Sequence, residues 1–451
     1  MCPPAGWRYR RRVLGRPALH PTDREIVGLA LPAMAALASD PLLSLVDTAL
    51  VGRLGAVPLA ALGINVAVFT TAFLVFNFLT YGTTAEVARL RGAGRPAEAA
   101  RHALQALWLA LGLGVAATAV LLVAAEPIVG AMGATGPVTD PALAYLRVRA
   151  LAAVPVLVVA VGHGAFRGSK DTRTPLYVAV AANLVNAVAS YLLIYPGGLG
   201  VVGAAYGTLL AQTGAAAAFV LLARRKDRFP LPDLRVDPVA MRAIVRISRD
   251  LFLRTGSLLA ALLVSTAVAA RMGVETVAAH QIARELWTML ALVLDGFAVA
   301  GQAMIGTVLG AGRPEQARAE ARRLVGWGLA TGTVIGAGYF ALAGPLPRVF
   351  TTDPAVLSEV AAVWLVIALL QPVGGVVFVL DGVLMGAGDF RFLFVSTAAA
   401  ALGALVPVCL AALVFGWGLP GIWAGMAALM AVRLVTTVGR LSSGKWATAT
   451  G

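Results

Sequence analysis

The segment Gly92-Ala93-Gly94-Arg95-Pro96 returns as Gly310-Ala311-Gly312-Arg313-Pro314, 218 residues later. The same offset pairs Arg53 with Arg271, Gly55 with Gly273, Ile64 with Ile282, Pro127 with Pro345, Gly168 with Gly386 and Asp171 with Asp389. It also pairs Gly200, Gly203 and Gly207 with Gly418, Gly421 and Gly425. One glycine match is expected by chance in a chain with 49 glycines, but a five-residue identity with further matches in one register is not. The chain is an internal duplication.

What is duplicated follows from composition. Of 451 residues, 59% are hydrophobic and 13% charged, against about 25% charged in soluble domains. Apolar stretches long enough to cross a hydrocarbon core of about 30 Å as helices recur along the chain. Twelve spans are expected, near 26–52, 56–82, 103–125, 142–166, 174–195, 199–223, 246–271, 275–306, 320–344, 356–385, 390–415 and 418–440. Each copy holds six. An even number gives both copies the same orientation, so the expected fold is an all-α polytopic membrane protein in which two parallel six-helix repeats form two lobes around a central cleft. The divisions are a basic N-terminal segment 1–25, a first lobe 26–223, a linker 224–245, a second lobe 246–440 and a tail 441–451. Two bundles that can rock about a cleft point to a transporter.

The net charge of +14 would suggest nucleic-acid binding in a soluble chain. Here its placement gives another meaning, because 28 of the 36 Lys and Arg residues fall on one set of alternate loops and three on the other. By the positive-inside rule both termini are expected in the cytoplasm, in a cell membrane, with no nucleic-acid partner and no obligate protein partner evident. Arg8, Arg10, Arg11, Arg12, Arg16 and Arg24 precede the first span without the apolar core and cleavage site of a signal peptide. Cys2 and Cys409 form no disulfide framework or metal set. No P-loop, HExxH or Gly-x-Ser-x-Gly element appears, so neither enzymatic chemistry nor a bound cofactor is expected.

Ionisable groups inside apolar spans are costly, at about 2.5 to 3.5 kcal/mol mid-helix, and therefore point to mechanism. The first span carries Asp40 and Asp47, seven residues apart and so within about 20° of one face. Pro32 and Pro41 remove backbone hydrogen bonds from the same helix and let it bend. Protonation of such a carboxylate removes its charge and allows the helix to repack. In the fifth span Asn183, Asn186 and Ser190 form a polar stripe, with Thr208 of the sixth as a further wall and His163 of the fourth as a candidate relay. The second half holds a different set, Arg254, Asp295 and Asp381, whose counterparts at the repeat offset are Ala36, Asn77 and His163. The halves have diverged in their polar groups. Arg147 and Arg149 at the outer start of the fourth span read as interfacial or paired groups.

Leu31-Pro32, Val46-Asp47-Thr48-Ala49 and Gly52-Arg53-Leu54-Gly55, with Ala279-His280-Gln281-Ile282 and Arg167-Gly168-Ser169-Lys170-Asp171, resemble the multidrug and toxic compound extrusion (MATE) family. Arg249-Asp250-Leu251-Phe252-Leu253-Arg254-Thr255, Leu294-Asp295-Gly296-Phe297-Ala298 and Leu380-Asp381-Gly382 resemble its DinF branch. The resemblance implies a V of two lobes that exports amphipathic, often cationic organic compounds against inward H⁺ or Na⁺. It makes Asp47 the coupling carboxylate, with Asn186 and Thr208 beside it in a cavity where Na⁺ is the alternative ion. Ser190 stands where many members carry a second Asp, and Asp40 is a candidate replacement. A lipid-linked precursor flippase of the same superfamily and a non-transporting receptor or scaffold are the alternatives. A flippase is expected to carry a basic cavity, whereas the first-lobe charges singled out here are acidic.

Overall fold

The computed structural model describes residues 20–225 and 234–447; the side chains of Asp40 and Arg225, the N-terminal arginines through Arg16, Cys2 and most of the linker's proline stretch lie outside the described residues. Among the described residues the chain is helical throughout. The first lobe comprises α1 (Pro21–Gly52), α2 (Ala56–Leu74) running on through a 3₁₀ turn into α3 (Phe78–Gly92), α4 (Pro96–Val123), the short α5 (Ala125–Ala131), α6 (Thr139–Ala150), α7 (Ala153–Gly168), α8 (Arg173–Ile194) and α9 (Val201–Arg225). The second comprises α10 (Pro238–Met272), α11 (Val274–Gly310), α12 (Pro314–Ala341), the short α13 (Pro345–Arg348), α14 (Pro354–Gly386), α15 (Phe390–Ala400) joined by a π-helical turn to α16 (Val406–Val414), and α17 (Gly418–Ser442).

Among the described residues eleven helical stretches are long and apolar enough to cross a bilayer, and a bent pair, Gly136–Ala150 with Ala153–Gly168, makes up to twelve. That fourth span is expected to be continuous from the sequence; it is instead broken by 47°. Pro155 has no N–H to give to the carbonyl of Leu151, and its ring crowds that carbonyl, so the chain turns there. Thr118 Oγ1 donates to the exposed carbonyl of Ala150 at 3.0 Å, which holds the break. Other boundaries also move. Helix α10 starts at Pro238 and so takes up the end of the expected linker. Beyond α17, Trp446 of the expected tail is fully buried and donates Nε1 to Leu441 O at 3.0 Å.

The duplicated pentapeptide is a helix stop, a turn and a helix start. Gly94 and Gly312 adopt φ of 71° and 70°, a left-handed conformation that glycine takes without steric cost. Pro96 and Pro314 then open α4 and α12 at the first helical turn, where a missing N–H costs nothing. Gly92 and Gly310 have a different reason to be glycine. A methyl group on Gly92 would lie 2.0 Å from Thr307 O, and one on Gly310 would lie 2.0 Å from Arg89 O. Since 89 and 307, like 92 and 310, differ by the repeat offset, these are one contact made twice, as at a twofold interface. Gly306 meets Ala88, its own counterpart, so the pseudo-twofold axis passes between them.

The close inter-lobe approaches gather on the side of the arginine-rich loops. There Gly296 of α11 meets Met34 and the Ala30 carbonyl of α1, and Gly82 of α3 meets Ile247 of α10. One apolar cluster runs across both lobes, from Ile26, Leu29 and Phe78 to Leu290, Leu294 and Phe297. Asp23 at the start of α1 adds an ion pair to Arg323 at 2.7 Å and accepts from Trp327 Nε1 at 3.1 Å. At the far end α2 and α16 find their main neighbours within their own lobes. The lobes thus meet on the arginine-rich side.

Candidate functional site

Asp47 lies five residues before the end of α1, 8% exposed, facing α8 and α9. Asn186 Nδ2 points at Asp47 Oδ2 at 3.5 Å and at Thr208 Oγ1 at 3.4 Å. Ser190 lies within reach of the carboxylate too, but its single proton goes to Asn186 Oδ1 at 2.6 Å. Thr208 donates to Ala204 O at 3.1 Å. The fit of α8 against α9 here is close, since a methyl group on Gly207 would lie 2.3 Å from Ser190 Oγ. With these groups in place, Asp47 Oδ1 remains buried without a hydrogen-bond partner. An ionised carboxylate with an empty oxygen away from water is costly, and protonation lowers that cost.

Four of the residues singled out in the first half therefore come together: Asp47, Asn186, Ser190 and Thr208. Asn183, one turn earlier, does not join them; it donates Nδ2 to the Ser39 carbonyl at 2.9 Å and so ties α8 to α1 beside the Pro41 break. Asp40 is helical, but its side chain is outside the described residues. His163 packs its ring 5.1 Å from that of Phe219 on α9, and among the described contacts none links it to Asp47, so the relay expectation finds no geometric support.

One residue of α6 borders the site, and the sequence reading did not place it there: buried Tyr145 clusters with Val51 of α1 and Ala204 of α9. Arg149 lies one helical turn further along α6. The guanidinium sits 5.0 Å over the ring of Phe69 of α2, and its Nη1 is buried without a partner. Of the two arginines read as interfacial or paired, exposed Arg147 pairs with Glu126 at 3.5 Å, and Arg149 lies over Phe69. The 47° break sets the direction of α6 relative to α7, and Pro155 was the available signal for it.

In the second lobe Asp381 Oδ2 accepts from both Arg254 and Arg433. Asp381 and Arg433 are 4% and 2% exposed, and Arg433 also lies 5.8 Å over the ring of Phe378. Of the expected Arg254, Asp295 and Asp381, Arg254 and Asp381 pair directly, and Arg433 joins them. A lone arginine in the middle of an apolar last span was the signal for it.

The MatE family model matches residues 32–192 and 257–410, one segment in each lobe. The chain belongs to this family of multidrug and toxic compound extrusion transporters. It is 36% identical to Protein DETOXIFICATION 44, chloroplastic, of Arabidopsis thaliana, over 95% of this chain and 84% of that protein. It is 29% identical to DNA damage-inducible protein F of Escherichia coli, over 91% of this chain and 90% of that protein. Likeness to MATE proteins is thus not confined to the DinF branch. Among solved structures, one described as a crystal structure of MATE in the bent conformation superposes with a TM-score of 0.87 at 24% identity, covering 96% of this chain and 98% of that one. This MATE protein is a membrane-spanning efflux transporter with the two-lobed fold of those structures.

Proposed function

We propose that this MATE transporter is a secondary active antiporter of the cell membrane, with cytoplasmic termini, that exports amphipathic organic cations in exchange for inward H⁺. The observation that carries the reading is Asp47, a buried carboxylate with one unpartnered oxygen on a helix that holds Pro32 and Pro41. Ionised, it attracts a cation from the cleft; protonated, it no longer does. Proton and substrate compete for one group, and each favours a different arrangement of the lobes, which couples their fluxes. The twofold contact at Gly92 and Gly310 supplies the closed end about which the lobes exchange access. Na⁺ held by Asp47, Asn186 and Thr208 is the competing choice of ion.

Proteoliposomes loaded with ethidium and given an imposed pH gradient test the assignment. Asp47→Asn is expected to abolish ethidium-dependent proton movement, and full coupled transport by that variant would refute it. Asp40→Asn and Ser190→Asp address the second carboxylate: normal transport with an unchanged pH profile in Asp40→Asn makes Asp40 structural.

A further inference from the structure

Helix α11 runs unbroken for 37 residues, and one of its faces meets the first lobe. At Gly296 that face touches α1, where an added methyl group would lie 2.2 Å from Met34 Cγ and 2.9 Å from the Ala30 carbonyl oxygen. Eleven residues bring a helix back to the same face within about 20° and advance it by about 16 Å. That step, taken away from the arginine-rich side, leads from Gly296 to Glu285 on α11 and from Met34 to Leu45 on α1. Both are exposed, Leu45 by 66%. Faces that touch at one depth are bare at the next, so the lobes have parted there, and Glu285 and Leu45 look into the cleft between them. Asp47 lies two residues beyond Leu45 but is buried and turned toward Asn186 of its own lobe.

Glu285 is an acid inside an apolar span. Ala279, Ile282, Ala283 and Leu286 bury the opposite side of α11 in the second-lobe core, which leaves Gln281, Glu285 and Met289 on the bare face. Gln281 Nε2 donates to Glu285 Oε1 at 2.9 Å. The adjacent Arg284 turns elsewhere, donating Nη1 to Thr266 Oγ1 of α10 at 2.8 Å, and among the described residues no cation pairs with Glu285. An unpaired charge at this depth is costly, and such groups line the paths that ions and substrates take. The cleft wall around it is apolar, with Met289 60% and Leu42 62% exposed. We propose that Glu285 is a substrate-recognition residue of the second lobe: its carboxylate pairs with the positive group of an amphipathic organic cation in the cleft, while Met289, Leu42 and Leu45 cover the apolar body. The proposal rests on the transported compounds being organic cations. Glu285 offers such a cation a second carboxylate, one that stays open to the cleft whatever the proton does at Asp47.

Tetraphenylphosphonium serves as the probe. Purified protein in nanodiscs of phosphatidylcholine is titrated with the radiolabelled cation at an ionic strength of about 0.01 M, where exposed charges act over the longest range. Glu285→Gln is expected to raise its Kd about fivefold, the upper end for an ion pair that water reaches, and to flatten the rise in Kd that added potassium chloride produces in the wild type. Competition by neutral triphenylphosphine oxide should be the same in both proteins, and Glu285→Asp, which keeps the charge, should recover the salt dependence. In proteoliposomes Glu285→Gln should raise the KM for tetraphenylphosphonium efflux and leave proton movement intact at saturating cation. An unchanged Kd and salt dependence in Glu285→Gln overturns the proposal, as does an equal loss of the neutral compound, the mark of altered packing. If neither variant folds, a wild-type Kd indifferent to salt overturns it. If the wild type neither binds nor exports tetraphenylphosphonium, the assignment of organic cations falls and the proposal with it; export by the wild type that is indifferent to Glu285 keeps the assignment and removes only the proposal.

Discussion

Adding one methyl group at Gly92 is predicted to shift the balance between the two orientations of the lobes. In the present arrangement that methyl would sit 2.0 Å from Thr307 O, where ordinary contact begins at 3.4 Å. The two backbones must therefore part by about 1.4 Å, and overpacking of this kind costs about 1–3 kcal/mol. The cost falls only on the state in which the arginine-rich side is closed, so Gly92→Ala is expected to lower the population of that state about 5- to 150-fold relative to the other. Gly310→Ala meets Arg89 O at the same 2.0 Å and should do the same. One separation relieves both clashes, so the double variant should cost about as much as either single one, a departure from additivity that contact between the sites leads one to expect. Spin labels at Ala97 and Glu315, both exposed and related by the repeat offset, report the separation by pulsed electron resonance once Cys2 and Cys409 are replaced. Unchanged distances in Gly92→Ala, or fully additive effects in the double variant, would refute the reasoning.

Asp23→Ala removes the exposed-edge pairing to Arg323 and Trp327 on the same side. Exposed pairs contribute about 0.2–1 kcal/mol, so the same labels should show a small shift that disappears at high salt. Asp381→Ala leaves Arg254 and Arg433 buried without their shared carboxylate, and a loss of about 3–5 kcal/mol is expected; an unchanged melting temperature in detergent would contradict it. Pro155→Ala restores a donor for the Leu151 carbonyl and should reduce the 47° bend. Straightening shifts α6 and with it Tyr145, which clusters with Val51 and Ala204 beside Asp47, so transport should fall while the melting temperature holds or rises, and wild-type transport would count against a role for the bend.

Much of the fold could be read directly. Hydropathy located the spans because a helix of about 20 residues that meets lipid must be apolar along its length. The repeat offset showed that the lobes are copies, and a charge inside an apolar span is conspicuous enough that Asp47, Arg254, Asp295 and Asp381 stood out. What went unread depended on direction. Arg149 lies at a span's outer start, where an arginine reads as interfacial or paired, and its place over the Phe69 ring of α2 is a tertiary contact. His163 and Asn186 are both polar residues in apolar spans, yet one packs on Phe219 and the other on the coupling carboxylate. Arg433 stands out as an arginine inside the last apolar span, but that it neutralises Asp381, 52 residues away, is visible only in three dimensions.

By itself, then, the sequence determined the class of the molecule, its twofold construction and the family to which it belongs. These follow from composition and from identity at one offset, both properties of the chain taken in order. The tertiary structure alone decided that Gly92 and Gly310 are where the copies meet, that the lobes meet on the arginine-rich side, and that Asp47 faces Asn186 with one oxygen left unpartnered. Each of these is a contact between residues distant along the chain, set by how helices turn and approach, and a close backbone approach or a facing charge leaves no periodic trace in a linear sequence.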